Sequence, residues 1–156
     1  MAFLTASVLT GSIAACAGGV GQAAPLPPAD PAELQFAPEL EIDLSSFERS
    51  ESGLYIQDVQ VGEGRPARRN SRVWIEYVGW LPDGTVFDGN VGREPYNVRL
   101  GGTEVIRGWN EGIEGMRRGG LRRLVVPPSL AYGSSRRGDI PPGSTLVFYI
   151  ELVDVE

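Results

Sequence analysis

The stretch Glu104-Val105-Ile106-Arg107-Gly108-Trp109-Asn110-Glu111-Gly112-Ile113-Glu114-Gly115-Met116-Arg117-Arg118 decides the fold. Trp109, Ile113 and Met116 recur at i, i+4 and i+7, which places three large apolar side chains on one face of a helix. Asn110, Glu111 and Glu114 take the other faces, and acids early in a helix complement its dipole. Gly119-Gly120 supplies the stop, since glycine adopts positive φ at a C-cap without steric cost. The chain before and after this stretch reads as strand. One short helix must therefore cover one face of a sheet, and a tryptophan in its first turn would form the floor of the hollow between them.

Working outward, Leu54 to Val61 alternates apolar with polar and closes on Gly62-Glu63-Gly64. Arg72 to Leu81 is a second strand with Val73, Ile75, Tyr77 and Gly79 on one face, followed by the turn Pro82-Asp83-Gly84-Thr85. Val86-Phe87-Asp88 and Tyr96 to Leu100 are short strands separated by a loop. Leu121 to Val126 stops at Pro127-Pro128, a loop runs from Ser129 to Ser144, and Thr145 to Val155 turns Leu146, Phe148, Ile150 and Leu152 inward. The expectation is an α+β domain over residues 51–156: four to six antiparallel strands wrapped on one helix.

Composition narrows the function. The 42% hydrophobic and 22% charged residues are ordinary for a globular domain, so 156 residues allow one core plus a tail. Residues 1–64 hold nine acids and one Arg, whereas residues 65–156 hold eleven acids and thirteen Arg. No concentrated basic face of the kind that binds nucleic acid results. The absence of His removes Ser-His and Cys-His chemistry and most zinc sites. A single Cys forbids an intrachain disulfide. No metal and no cofactor is expected.

Residues 1–16 are small or apolar and uncharged, too short to span a membrane and suited to a secretory signal. They end in Ile13-Ala14-Ala15-Cys16, which resembles a bacterial lipobox and marks Cys16 for lipidation, although no Arg or Lys precedes the apolar run. Residues 17–50, rich in Ala, Pro and acids, read as a largely disordered tether in which Leu40 to Leu44 alternates and is able to dock on the domain. The protein is expected in the cell envelope or periplasm, touching a membrane only through a lipid anchor.

No metal-ligand cluster, no Gly-rich loop before a Lys and no Ser-x-x-Lys is present. What stands out is an aromatic set, Tyr77, Phe87, Tyr96, Trp109, Tyr132 and Phe148, with Asp88 beside Phe87. An aromatic core by itself needs no function. Asp88 next to a strand aromatic and Tyr132 in a Pro/Gly-rich loop are the features that packing alone leaves unexplained.

Val86-Phe87-Asp88, Glu104 to Trp109, Gly115-Met116, Leu130-Ala131-Tyr132-Gly133, Ile140-Pro141-Pro142 and Thr145-Leu146-Val147-Phe148 together resemble the FKBP-type peptidyl-prolyl cis–trans isomerases, in order and spacing, from about Gly53 to Glu156. The resemblance implies a five- to six-stranded antiparallel half-barrel around one helix, and a proline-binding hollow between helix and sheet. It implies Trp109 as floor, Tyr77, Phe87, Tyr96, Val105, Ile106 and Phe148 as walls, and Ile140 overhanging from the loop. Val98, itself expected to bind substrate, falls where many relatives carry an aromatic wall residue, a departure that implies a wider or shallower hollow on that side. The Ile106 N–H and the Tyr132 hydroxyl would hold peptide carbonyls, and Asp88 with Tyr77 would face the twisting amide.

The expected activity is rotamase catalysis on proline-containing segments of exported proteins by a monomer, with macrolides of the FK506 and rapamycin type as inhibitors. The alternative is a proline-peptide binding module or folding helper with little catalysis.

Overall fold

The computed structural model describes residues 30–156, so the signal-like segment, Cys16 and the first half of the tether lie outside the described residues. Nine strands form among the described residues: β1 (Glu48–Arg49), β2 (Tyr55–Gln60), β3 (Glu63–Pro66), β4 (Arg72–Trp80), β5 (Val86–Gly89), β6 (Tyr96–Arg99), β7 (Arg117–Arg118), β8 (Leu121–Val126) and β9 (Leu146–Val155). One α-helix, α1 (Arg107–Ile113), crosses the sheet. The main sheet runs β1-β2-β8-β9-β4-β5, entirely antiparallel. β6 also pairs with β4. β6 takes the first half of β4's outer edge, Arg72 to Ile75, and β5 takes the end, Val78 to Trp80. The sheet is thus six positions wide and open at its edges, as the α+β half-barrel reading requires.

Strand alternation sorts the side chains as expected. Val73 and Ile75 of β4, and Leu146, Phe148, Ile150 and Leu152 of β9, are buried on the inner face under α1. Two glycines set how closely α1 approaches. A Cβ on Gly108 would stand 2.4 Å from Val126 Cγ1, and one on Gly112 would stand 2.4 Å from Leu124 Cδ1. The helix backbone therefore lies directly on β8, and Trp109 and Ile113 are buried against the sheet.

The helix is shorter than the sequence predicts. It ends at Ile113 rather than at Gly119-Gly120, because Gly115 takes φ +87° and breaks the repeat. Met116 is still buried, but in a turn: its carbonyl accepts from the Ala67 N–H at 2.7 Å. The exposed helix end is closed from the sheet. Arg122 Nη1 donates to the carbonyls of Gly112 (2.8 Å) and Glu114 (3.1 Å), while Nε and Nη2 hold the Asp58 carboxylate at 2.7 and 3.0 Å. This bidentate, charge-assisted pairing ties α1 to β8 and β2 at once. A second small sheet also escaped the sequence reading, since Glu63–Pro66, read as turn and connection, pairs with Arg117–Arg118.

The docking allowed for Leu40 to Leu44 occurs, and order extends over residues 30–50, where a largely disordered tether was expected. Three 3-10 turns form, Pro31–Glu33, Pro38–Leu40 and Leu44–Ser46, and the segment then adds β1 as an edge strand beside β2. On the outer face of the sheet Phe36, Leu40, Ile42 and Leu44 pack with Phe47, Tyr55, Trp80, Val125 and Val147. The physical reason is that β2, β4, β8 and β9 carry apolar residues on both faces, so the second face also needs cover. No helix among the described residues is long and apolar enough to cross a membrane.

Gly108→Ala should lower stability by about 1–3 kcal/mol through overpacking against Val126, outweighing the roughly 1 kcal/mol that alanine adds to helix propensity. Urea unfolding measures this, and adding Val126→Ala should restore part of the loss if the Cβ contact is its cause.

Candidate functional site

The inner face opens beside the first turn of α1. A hollow of about 130 Å³ is lined by Tyr77, Phe87, Asp88, Tyr96, Glu104, Val105, Ile106, Trp109, Tyr132 and Phe148. Strand β4 delivers Tyr77, β5 delivers Phe87 and Asp88, β6 delivers Tyr96, and β9 delivers Phe148. Val105, Ile106 and Trp109 come from the entry to α1, and Tyr132 from the loop after β8.

The rings meet edge to face throughout. Trp109 lies 4.7 Å from Tyr77 and 5.2 Å from Phe148, centroid to centroid, with interplanar angles of 77° in both pairs. Phe87 meets Phe148 at 5.6 Å and 86°. Such pairs gain about 0.5–1.5 kcal/mol beyond their buried area, so the box is rigid before anything enters it. Gly79 makes the box possible: a Cβ there would stand 2.7 Å from Phe87 Cζ and 2.9 Å from Phe148 Cε1. Its role was missed from sequence, although a glycine inside a strand is itself a sign of close approach.

Nine of the predicted site residues come together here, and two do not. Val98 shares a face of β6 with Tyr96 but pairs with Val73, one pleat beyond the hollow, and is 1% exposed in the core. Ile140 is held by an antiparallel bridge to Arg137 and is 5% exposed in the same cluster as Trp109 and Phe148, but is not among the residues lining the hollow. Glu104 is the residue the sequence reading passed over. Its only signal was an acid immediately before the wall residues Val105 and Ile106.

Polar groups stand at the rim. The Tyr77 hydroxyl donates to Asp88 Oδ2 at 2.7 Å, and the Gly89 N–H donates to Asp88 Oδ1 at 2.8 Å, which fixes the carboxylate. Burial, and then the hydrogen bond and charge of Asp88, push the Tyr77 phenol well above its ordinary 10.0. The Tyr132 hydroxyl and the Ile106 N–H have no hydrogen-bond partner among the described residues. Arg137 stands over the Tyr132 ring with Cζ 5.7 Å from its centroid. The buried Trp109 indole N–H is also without an acceptor. No group of three metal-ligating side chains forms among the described residues.

An open antiparallel sheet on one short helix, with an aromatic box at the helix entry, defines a class of small α+β domains. The sequence model of the FKBP-type peptidyl-prolyl cis-trans isomerases matches residues 63–153. An FK506-binding protein of Neisseria meningitidis serogroup B is 43% identical over 105 residues, covering 66% of this chain and 96% of that protein. FK506-binding protein 4 of Mycosarcoma maydis is 46% identical over 105 residues, 67% of this chain but only 28% of its own length. Among solved structures, FkpA from Escherichia coli shares 41% identity at a TM-score of 0.68, covering 76% of this chain and 55% of that one. AtFKBP13 shares 40% identity at 0.65, covering 70% and 98%. The chain belongs to the FKBP-type peptidyl-prolyl isomerase family.

The raised Tyr77 phenol ties stability to pH. Its contribution is intact below the unfolded value near 10 and is lost as pH climbs, because unfolded chains then release a proton that the folded phenol keeps. Between about pH 9 and about pH 11, Tyr77→Phe should lose less stability than the unaltered chain in urea unfolding. Equal slopes would count against a buried, Asp88-bonded phenol.

Proposed function

We propose that this chain accelerates rotation about Xaa-Pro bonds in unfolded polypeptides, acting on exported proteins as they fold. The observation that carries the proposal is the aromatic box floored by Trp109 with two unpaired donors, the Tyr132 hydroxyl and the Ile106 N–H, at its mouth.

The barrier to be lowered is about 18–20 kcal/mol, since twisting a peptide bond destroys its resonance. No bond is made or broken, so neither nucleophile nor general base is required. In this reading a proline ring enters over Trp109, between Tyr77, Phe87, Tyr96, Val105 and Phe148. The flanking carbonyls accept from Tyr132 and Ile106. The twisted amide is less charge-separated than the planar one, so an apolar box favours it relative to water. Binding the twisted form better than either planar form lowers the barrier directly. Asp88, held by Tyr77 and Gly89, sits at the rim where the amide nitrogen rehybridises. A macrolide of the FK506 type would compete for the same box.

Export, and lipid attachment at Cys16, belong to the same proposal and rest on the apolar segment and Ile13-Ala14-Ala15-Cys16 alone.

The full chain should speed cis-to-trans conversion of an Xaa-Pro tetrapeptide. Asp88→Ala and Tyr132→Phe should each lower kcat/KM by roughly three- to tenfold, the scale of one hydrogen bond of about 1 kcal/mol. Trp109→Ala should lose more. A folded protein that binds the peptide without accelerating it would instead be a binding module, and full activity after substituting both Asp88 and Tyr132 would overturn their roles.

A further inference from the structure

The edge strand β5 carries Phe87 and Asp88 but is weakly held. It pairs with β4 at only three positions, Val78↔Gly89, Gly79↔Asp88 and Trp80↔Val86, with a register shift between the last two. Its other edge has no strand partner. Its far end is pinned through Asn90, whose side chain accepts from the Tyr77 N–H at 2.8 Å and donates to the Ile75 carbonyl at 3.0 Å. Its near end leaves the turn Pro82-Asp83-Gly84-Thr85, closed by Leu81 N–H to the Thr85 carbonyl at 2.8 Å.

That turn is gripped from outside. The Ala37 N–H donates to the Pro82 carbonyl at 2.8 Å. Beside it, the Glu39 carboxylate and Ala37 Cβ press on Gly84, with distances of 2.6 and 3.3 Å to the position a Cβ would take. Further along, Arg123 Nη1 reaches the Glu41 carbonyl at 3.3 Å, and Phe47 is buried against Tyr55, Val125 and Val147. Between these anchorages the segment bridges an apolar hollow of about 270 Å³ lined by Leu40, Ile42, Trp80, Val147 and Tyr149, among others. The segment is therefore a strap, fastened at Phe47 and at the β4–β5 turn and spanning a gap between them.

We propose that residues 36–40 position the aromatic box from the opposite face of the sheet: by holding Pro82 and Gly84 they set the angle at which β5 presents Phe87 and Asp88 to the peptide. Ala37 and Glu39 touch no substrate in this arrangement. They are positioning residues for a reaction assigned above, and the inference rests on that assignment.

The test uses the full chain. Ala37 has φ −57° and ψ 136°, a conformation that proline adopts, so Ala37→Pro deletes the single N–H donor without bending the strap. Ala37→Gly keeps the donor and serves as the conservative control. Ala37→Pro should lower kcat on an Xaa-Pro tetrapeptide by roughly three- to tenfold with KM less affected, the scale of one lost hydrogen bond. The amide resonances of Phe87, Asp88 and Gly89 should shift while those of Leu124 and Val125 in the sheet centre stay, and Ala37→Gly, which keeps the donor and loses only the Cβ beside Gly84, should move kcat and resonances by less. Glu39→Ala, at an exposed position, should move kcat and the same resonances in the same direction by less, and it decides the matter if Ala37→Pro fails to fold. Native kcat together with unmoved resonances at 87–89 would overturn the proposal. If the unaltered chain does not isomerise the peptide, the functional reading fails, whereas the resonances at 87–89 still judge the strap.

Discussion

The closeness of α1 to β8 is the constraint on which the rest of the structure depends. A seven-residue helix has little stability of its own, since isolated helices below about 12–15 residues are marginal in water. It persists because Gly108 and Gly112 let its backbone settle onto Val126 and Leu124, and because Arg122 closes its C-terminal carbonyls. With side chains at those two glycines the helix would ride higher and Trp109 would leave the rings of Tyr77 and Phe148. The floor of the hollow is thus set by two residues that have no side chain.

The hollow itself is arranged by exclusion as much as by contact. Gly79 leaves room for Phe87 and Phe148 to meet edge to face, and four aromatic contacts around Trp109 and Phe148, with a fifth between Tyr77 and Tyr96, fix the walls. Polar groups fall into two kinds. Asp88 is committed, holding Tyr77 and accepting from Gly89. Tyr132 and Ile106 keep donors unspent at the mouth, where a peptide backbone has acceptors to offer. In the proposed reading, an apolar box with free donors at its mouth would receive a tertiary amide, which has no N–H to contribute.

The strap shows why composition misleads. Residues 30–50 carry six acids, one Arg and two prolines, a mixture that suggests an extended, solvated chain. Yet Phe36, Leu40, Ile42, Leu44 and Phe47 recur through it, and Pro31 and Pro38 start 3-10 turns instead of preventing order. A sheet with two apolar faces supplies what the segment cannot supply for itself, a surface to bury against. Its consequence for the site is reach: the strap crosses behind the box and ends on the turn that launches β5.

Much of this was legible in the sequence, because it depends on neighbours along the chain. Period-two alternation put Val73, Ile75, Tyr77 and Gly79 on one face of β4, and Leu146, Phe148, Ile150 and Leu152 on the inner face of β9, where the structure has them. The helix, its tryptophan and nine of the site residues followed from spacing and from the family's motifs. What only the tertiary structure decided depends on distances between residues far apart in sequence. Gly115 ends the helix early and Arg122 caps it from β8, Val98 and Ile140 lie in the core without lining the hollow, Glu104 comes to the rim, and the strap finds the outer face. Each of these is a choice between burial sites made by packing, and local periodicity says which side of an element is apolar but not what will cover it.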